Sequence, residues 1–317
     1  MTTTSRPASP SRTRLTAPLA PPPDLTGRRA VVTGGTSGLG LVTTRTLASW
    51  GAAVVVGARD VERAAQVRRR LLHDLGLSDD RVTVAHLDLL DLDSVDRFGR
   101  VAGAASVDLL VLNAASSSVA FRTSREGVES QFATNHLGHF ALTGQMLDQL
   151  EAGRDPRVVT VSSALYTRGA LDLDRLGDAV GYSPGRGYIR AKLANTMFAV
   201  ELERRLRRAK SGIRSFAAHP GMARTPLHGT YPSATTRAVT ALLARAVGRE
   251  PEPADVGILA AATAATVTPD LFWGPVGSKT RPDVEGVPFA PAATDESAAI
   301  ALWNASMALT TRRYLED

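Results

Sequence analysis

Short apolar runs alternate along the chain with longer stretches whose apolar residues recur at helical spacing. The runs are Arg29–Thr33, Ala52–Ala58, Arg81–Leu87, Val107–Asn113, Arg157–Ser162 and Ile213–His219. Several are Val-rich and apolar throughout, as strands buried on both faces should be. Helical patterns lie between them at Gly38–Trp50, Val61–Leu75, Ser94–Ala102, Arg125–Leu150 and Tyr188–Ala209. The alternation predicts an α/β fold, a Rossmann-type doubly wound parallel sheet with helices on both faces and right-handed crossovers. A seventh short strand is expected at Asp270–Trp273, and Gly257–Val267 reads as a buried helix. No repeat or linker divides the chain, so residues 25–317 read as a single domain. The segments 222–250 and 277–291 break the alternation beyond strand carboxyl ends, and 277–291 is loop-like. Open α/β sheets bind ligands at that edge, so both are candidate substrate loops.

Composition narrows the function classes. Residues 1–24 are rich in Thr, Ser, Pro and Arg, without the apolar run of a secretory signal or anchor. They read as a disordered tail, with an arm folded onto a partner subunit as the alternative. No later segment reaches the roughly 18 uninterrupted apolar residues of a spanning helix. The chain has no cysteine, hence no disulfide and no thiolate metal site. A cytoplasmic location is expected. The net charge is +6 and the pI about 10.1, yet the basic residues are scattered and aromatics are only 5%. That pattern argues against nucleic acid as a partner.

The segment Thr33–Gly40, TGGTSGLG, joins the first strand to the first helix. A glycine-rich turn there aims backbone N–H groups and a helix N-terminus at one place, which suits a pyrophosphate. Gly34 is suited to the tight turn, Gly38 to close approach of the phosphates, and Gly40 to close helix–strand packing. Gly34, Thr36, Ser37, Gly38, Leu39 and Gly40 are therefore candidate cofactor contacts. The second strand ends Gly57-Ala58-Arg59-Asp60. Ala58 stands where an acid would select NAD, and Arg59 follows, as expected for the 2′-phosphate of NADP(H). Asp60 reads as a helix N-cap.

Tyr188 and Lys192 are four residues apart in a helical pattern and so share a face. An ammonium beside a phenol favours the phenolate. Moving a phenol pKa from about 10 to about 7 takes roughly 4 kcal/mol of differential stabilisation. Ser163 closes the fifth strand at the same sheet edge as the glycine turn, where its hydroxyl is available near Tyr188.

Taken in order, Thr33-Gly34-x3-Gly38-x-Gly40, Asp88-Leu89, Asn113-Ala114, Asn135, Ser163, Tyr188-x3-Lys192 and Pro220-Gly221-x3-Thr225 resemble a short-chain dehydrogenase/reductase. Within that family the chain is similar to the retinol-dehydrogenase-like branch. The carrying segments are Asn135-His-Leu-Gly-His-Phe140, Ala191-Lys-Leu-Ala-Asn195, His219-Pro-Gly221 and Leu302-Trp-Asn-Ala-Ser306. The resemblance implies Tyr188 as general acid or base. It implies that Lys192 lowers the Tyr188 pKa and holds the nicotinamide ribose. Ser163 would bond the substrate oxygen, and Asn135 would hold a water that links Lys192 to solvent. Asp88, with Leu89, would contact adenine, and Asn113 and Ala114 would form the cofactor side of the fourth strand. Pro220, Gly221 and Thr225 would border the carboxamide region, and Ser162 is expected to be structural. Leu112 and Ala115 depart from the family's usual Asn-Asn-Ala-Gly.

No metal site is expected. His136 and His139, three apart, lack a third ligand at useful spacing. His219 is expected to cap the sixth strand, and Trp50, Trp273 and Trp303 to pack, with Trp273 and Phe272 as alternative pocket residues. The resulting expectation is an NADP(H)-dependent oxidoreductase acting on a moderately large apolar ketone, aldehyde or alcohol. Phe121, Met222–Tyr231 and Gly277–Pro291 would wall its pocket. The alternatives are a non-catalytic NADP(H)-sensing protein and a sugar-nucleotide epimerase or dehydratase of the same fold. By family analogy, dimers or tetramers would form through the Arg125–Leu150 and Tyr188–Ala209 helices.

Overall fold

The computed structural model describes residues 11–16, 19–117, 120–221 and 249–316. Its strands are β1 (Thr13–Leu15), β2 (Arg29–Thr33), β3 (Ala53–Ala58), β4 (Val82–His86), β5 (Leu109–Leu112), β6 (Arg157–Val161), β7 (Arg214–Ala218), β8 (Leu271–Val276) and β9 (Asp283–Pro288). Among the described residues they form one sheet in the order β1-β9-β8-β7-β6-β5-β2-β3-β4. β8 through β4 are parallel, which is the expected seven-stranded doubly wound sheet. β9 and β1 extend it antiparallel at one edge.

The strands bury both faces by simple alternation. Ala30 and Val32 of β2, with Val54 and Val56 of β3, enter a core beneath α1 (Gly38–Ser49) and α2 (Val61–Leu75). Val31 and Val55 enter a second core beneath α3 (Leu92–Ala102) and the helices that follow β5. Those are α4 (Ser130–Phe132), a π-helical turn at Ala133–Leu137, α5 (Gly138–Gln145) and α6 (Leu147–Glu151). The long helix α7 (Pro184–Arg208) joins them on that face. α8 (Pro251–Ala254) and α9 (Val256–Thr263) return to the α1 side. α10 (Pro291–Thr294) and α11 (Glu296–Thr310) close the chain against α7.

Four expectations change. Thr13–Leu15 is not part of a disordered tail but an edge strand. Arg14 pairs with Asp283 at 2.6 Å and Arg12 with Glu285 at 3.8 Å. Three residues in a Ser/Thr/Pro-rich context give no local strand signal; the strand exists because β9 offers an edge and acids. Asp283–Pro288, expected within a loop, forms β9 itself. Its Gly and Pro read as loop chemistry, but Val284 and Gly286 alternate into the sheet. The helix expected over 125–150 starts only at Ser130. Glu129 precedes it, and its carboxylate accepts the Gln131 and Phe132 N–H groups at 2.7 and 3.3 Å. The helix α7 begins four residues early, because Ser183 caps it and Pro184 suits the first helical position.

The helices expected to join subunits are covered by their own chain. Residues 138–143 and 191–199 are buried without interruption. Trp303 of α11 stacks on Phe198, with centroids 5.9 Å apart, and meets Phe140 edge-on at 5.0 Å. Tyr314 packs on Trp303, and its hydroxyl donates to the Phe140 carbonyl at 3.0 Å. Arg205, held by Glu201 at 2.6 Å, lies over the Trp303 ring. Trp303→Ala should destabilise the fold by about 3–5 kcal/mol, the range for emptying a buried aromatic site. Urea unfolding of parent and variant measures it; a loss below about 1 kcal/mol would show that α11 is peripheral.

Candidate active site

The carboxyl ends of β2, β5, β6 and β7 converge on one edge of the sheet. At β2 the chain turns through Gly34, which is left-handed at φ +68°, and enters α1. No acidic residue stands in the first turn of α1, and the N-cap Ser37 makes no side-chain cap hydrogen bond. A Cβ on Gly40 would strike the Gly34 carbonyl and the Asn113 amide, so only glycine lets α1 seat this closely. Thr36, Gly38 and Leu39 are half-buried around the exposed Ser37. This turn fits the pyrophosphate of a dinucleotide: a helix N-terminus without a competing carboxylate, fronted by small residues.

At β3, Ala58 is buried and Arg59 is exposed at the strand tip. Asp60 caps α2 by accepting the Arg63 N–H at 2.9 Å, as expected. After β4, Asp88 is half-buried and accepts the Leu90 N–H at 3.0 Å. Leu89 is buried, and a Cβ on Gly138 would collide with it, so the Leu89 side chain packs in the core.

At β5, the Asn113 side-chain amide donates to the Thr33 carbonyl at 2.9 Å. The Asn113 and Ala114 N–H groups both donate to the Thr33 hydroxyl, at 2.9 and 3.0 Å. Leu112 is fully buried among Phe140, Leu142 and Val158, so its departure from the family pattern serves packing. Ala115 is half-buried beside it. Asn135 sits in the π-helical turn. Its Oδ1 accepts the Ser116 N–H at 2.7 Å and its Nδ2 donates to the Ser116 carbonyl at 2.9 Å.

At β6, the Ser162 hydroxyl donates to the Lys192 carbonyl at 2.9 Å, a structural role as expected. Ser163 is half-buried and accepts the Leu165 N–H at 3.3 Å. Tyr188 is half-buried in the second turn of α7. Lys192 is buried one turn on, with Nζ 5.7 Å from the Tyr188 ring centroid. That ammonium donates to the Val161 carbonyl at 2.8 Å, two residues before Ser163. Burial pulls the Lys192 pKa down to about 8. After β7, the His219 ring accepts the Gly221 N–H at 3.0 Å, capping the strand as expected, and Pro220 is half-buried between them. Thr225 and Met222–Tyr231 lie outside the described residues.

The histidines and tryptophans divide by burial. His136 bonds Ser306 at 2.9 Å and His139 bonds Thr33 at 2.9 Å, each deep in the core. No cluster able to hold a metal exists among the described residues. Phe272 and Trp273 are buried and pack, Phe272 against Tyr166 and His219. Trp50 is half-buried against the α1-side core. Sequence reasoning missed Ser116, the Val161 carbonyl and the π-helical turn. Backbone partners leave no mark in side-chain identity.

Residues 28–236 match the family model for short chain dehydrogenases. The chain belongs to the short chain dehydrogenase family. Mouse retinol dehydrogenase 14 is 34% identical over 293 residues, 88% of this chain and 85% of that protein. Human retinol dehydrogenase 13 is 35% identical over 223 residues, 66% of this chain and 65% of that protein. The chain thus falls in the retinol-dehydrogenase-like branch of these oxidoreductases. A solved Mycobacterium paratuberculosis protein, uncharacterized, is 36% identical. It superposes with a TM-score of 0.74, over 95% of this chain and 99% of its own. Among the described residues, no helix is long and apolar enough to cross a membrane.

One buried acid lies directly behind the glycine turn. The Thr43 hydroxyl, on α1, reaches the Asp255 Oδ1 at 2.8 Å, while the Asp255 Oδ2 has no hydrogen-bond partner among the described residues. Burial, reinforced by Glu252, raises the Asp255 pKa to about 8. The folded protein then keeps a proton that the unfolded chain releases above about pH 4. This contribution therefore lowers stability as pH rises from about 4 to about 8. Asp255→Asn keeps the Thr43 acceptor and removes the titration. Its Tm should match the parent near pH 4 and exceed it by several degrees at pH 8, by calorimetry across that range.

Proposed function

We propose that this dehydrogenase transfers hydride between NADP(H) and a carbonyl or alcohol of a moderately large apolar substrate, with Tyr188 as general acid and base. The observation that carries this reading is the Lys192 ammonium, buried beside the Tyr188 ring and fixed to the carbonyl end of β6. The bound nicotinamide supplies the hydride chemistry. In carbonyl reduction, the Tyr188 phenol donates its proton to the substrate oxygen; in alcohol oxidation, its phenolate takes one. The Lys192 charge favours the phenolate. With its pKa drawn to about 8, Lys192 exchanges protons near neutral pH. The Ser163 hydroxyl, close along β6, hydrogen-bonds the substrate oxygen and steadies the charge that develops there. Asn135 holds the water that returns protons to Lys192.

Arg59 supports NADP(H) over NAD(H): it is exposed at the β3 tip, and Ala58 leaves no acid to repel a 2′-phosphate. The Phe121 ring meets Tyr182 edge-on at 5.3 Å just ahead of α7, the helix that carries Tyr188. The names of the relatives, retinol dehydrogenases, agree with an apolar substrate.

Tyr188→Phe should cut kcat about 100- to 10,000-fold in an assay of NADPH oxidation with a panel of apolar ketones and aldehydes. Near-parental turnover would refute the mechanism. A parent that binds NADPH yet turns over none of the panel would favour the sensing alternative. Arg59→Ala should lower kcat/KM for NADPH by about 10- to 100-fold, the worth of a charged hydrogen bond, and leave NADH nearly unchanged. Equal losses with both cofactors would remove Arg59 from the 2′-phosphate.

A further inference from the structure

The ring of His139 lies in the core between the two halves of the site, and its protonation follows from its partners. Its Nδ1 is 3.0 Å from the Asn135 carbonyl oxygen, which only accepts. Nδ1 therefore carries the hydrogen. The ring is neutral, because burial, with the Lys192 charge adding to it, holds its pKa near 4. Nε2 is then bare and accepts, so the Thr33 hydroxyl 2.9 Å away is the donor. That hydroxyl already receives the Asn113 and Ala114 N–H groups. One hydrogen and two lone pairs are thus all used. The Val111 carbonyl, at 3.5 Å, is the poorer recipient of that hydrogen.

We propose that His139 is a positioning residue with two separable contacts. Through Nδ1 it fixes the Asn135 carbonyl beside the proton relay, and through Nε2 it orients the Thr33 hydroxyl that clasps the glycine turn to the end of β5. Its consequence for turnover rests on the reading under Proposed function; its hydrogen-bond pattern does not. The two contacts act on different ends of the reaction. The Asn135 carbonyl serves proton return to Lys192 and Tyr188. The Thr33 clasp, through Asn113 and Gly34, shapes the cradle for the cofactor.

Two substitutions separate them. In His139→Asn, the side-chain Nδ2 stands where Nδ1 stood and still donates to Asn135, but the side chain is too short to reach Thr33. In His139→Gln, the amide reaches the Nε2 position and accepts from Thr33, but the donor to Asn135 is lost. Loss of one such bond is worth up to about tenfold. His139→Asn should therefore weaken NADPH binding about 3- to 10-fold, by fluorescence titration, and raise KM for NADPH more than it lowers kcat. His139→Gln should lower kcat about 3- to 10-fold while the NADPH Kd stays within about twofold. Equal losses of kcat and affinity in both variants would reduce His139 to a packing residue and overturn the proposal. Long-range 1H–15N spectra of the parent at pH 7 test the pattern without turnover or variants. A neutral ring with its hydrogen on Nδ1 is expected; hydrogen on Nε2, or a protonated ring, overturns it. Should Tyr188→Phe stay active while the spectra show the Nδ1–H form, the catalytic reading fails and the hydrogen-bond assignment stands.

Discussion

Putting the Lys192 ammonium inside the protein is the constraint to which the rest of the site answers. A charge taken out of water is costly unless it is hydrogen-bonded. Here the partner is the Val161 carbonyl at the last residue of β6. That contact sets how α7 lies across the sheet. It places Tyr188 one turn earlier, toward solvent, and Ser163 just past the strand end. Ser162 completes the seam by bonding the Lys192 carbonyl and the Thr196 hydroxyl. The tension between burial and charge draws the lysine pKa down to about 8.

A second clasp holds the other half of the edge. The Thr33 hydroxyl gathers the Asn113 and Ala114 amides, and Asn113 reaches back to the Thr33 carbonyl. β2 and β5 are neighbours in the sheet, so these bonds lock the start of the glycine turn to the strand beside it. Asn135 and Ser116 tie the π-helical turn to the loop after β5. Groups at the ends of β2, β5 and β6, in the π-helical turn and on α7 thus meet at one edge through short polar contacts. The apolar clusters on both faces keep that edge rigid.

The C-terminal helix packs across α5 and α7. The faces of α5 and α7 are apolar and need a cover. Trp303, Tyr314 and the stem of Arg205 provide it from within. The Leu302–Ser306 segment that marks the family branch is therefore an architectural element, with Ser306 reaching His136 in the core.

The sequence by itself determined the seven parallel strands, the helices between them and the identity of the groups at the edge. Val-rich runs, a glycine turn and a Tyr-x3-Lys pair on a helix are local patterns, and local physics reads them directly. It also assigned Asp60 and His219 their capping roles. Only the tertiary structure decided the rest. Thr13–Leu15 and Asp283–Pro288 become strands because an edge is open to them, not because of their own propensity. The break at Ala133–Leu137 and the role of the Val161 carbonyl depend on backbone atoms that every residue shares. The cover over α5 and α7 depends on where a helix 100 or more residues away comes to rest. Periodicity reports which face of an element is apolar, but not which part of the chain will bury it.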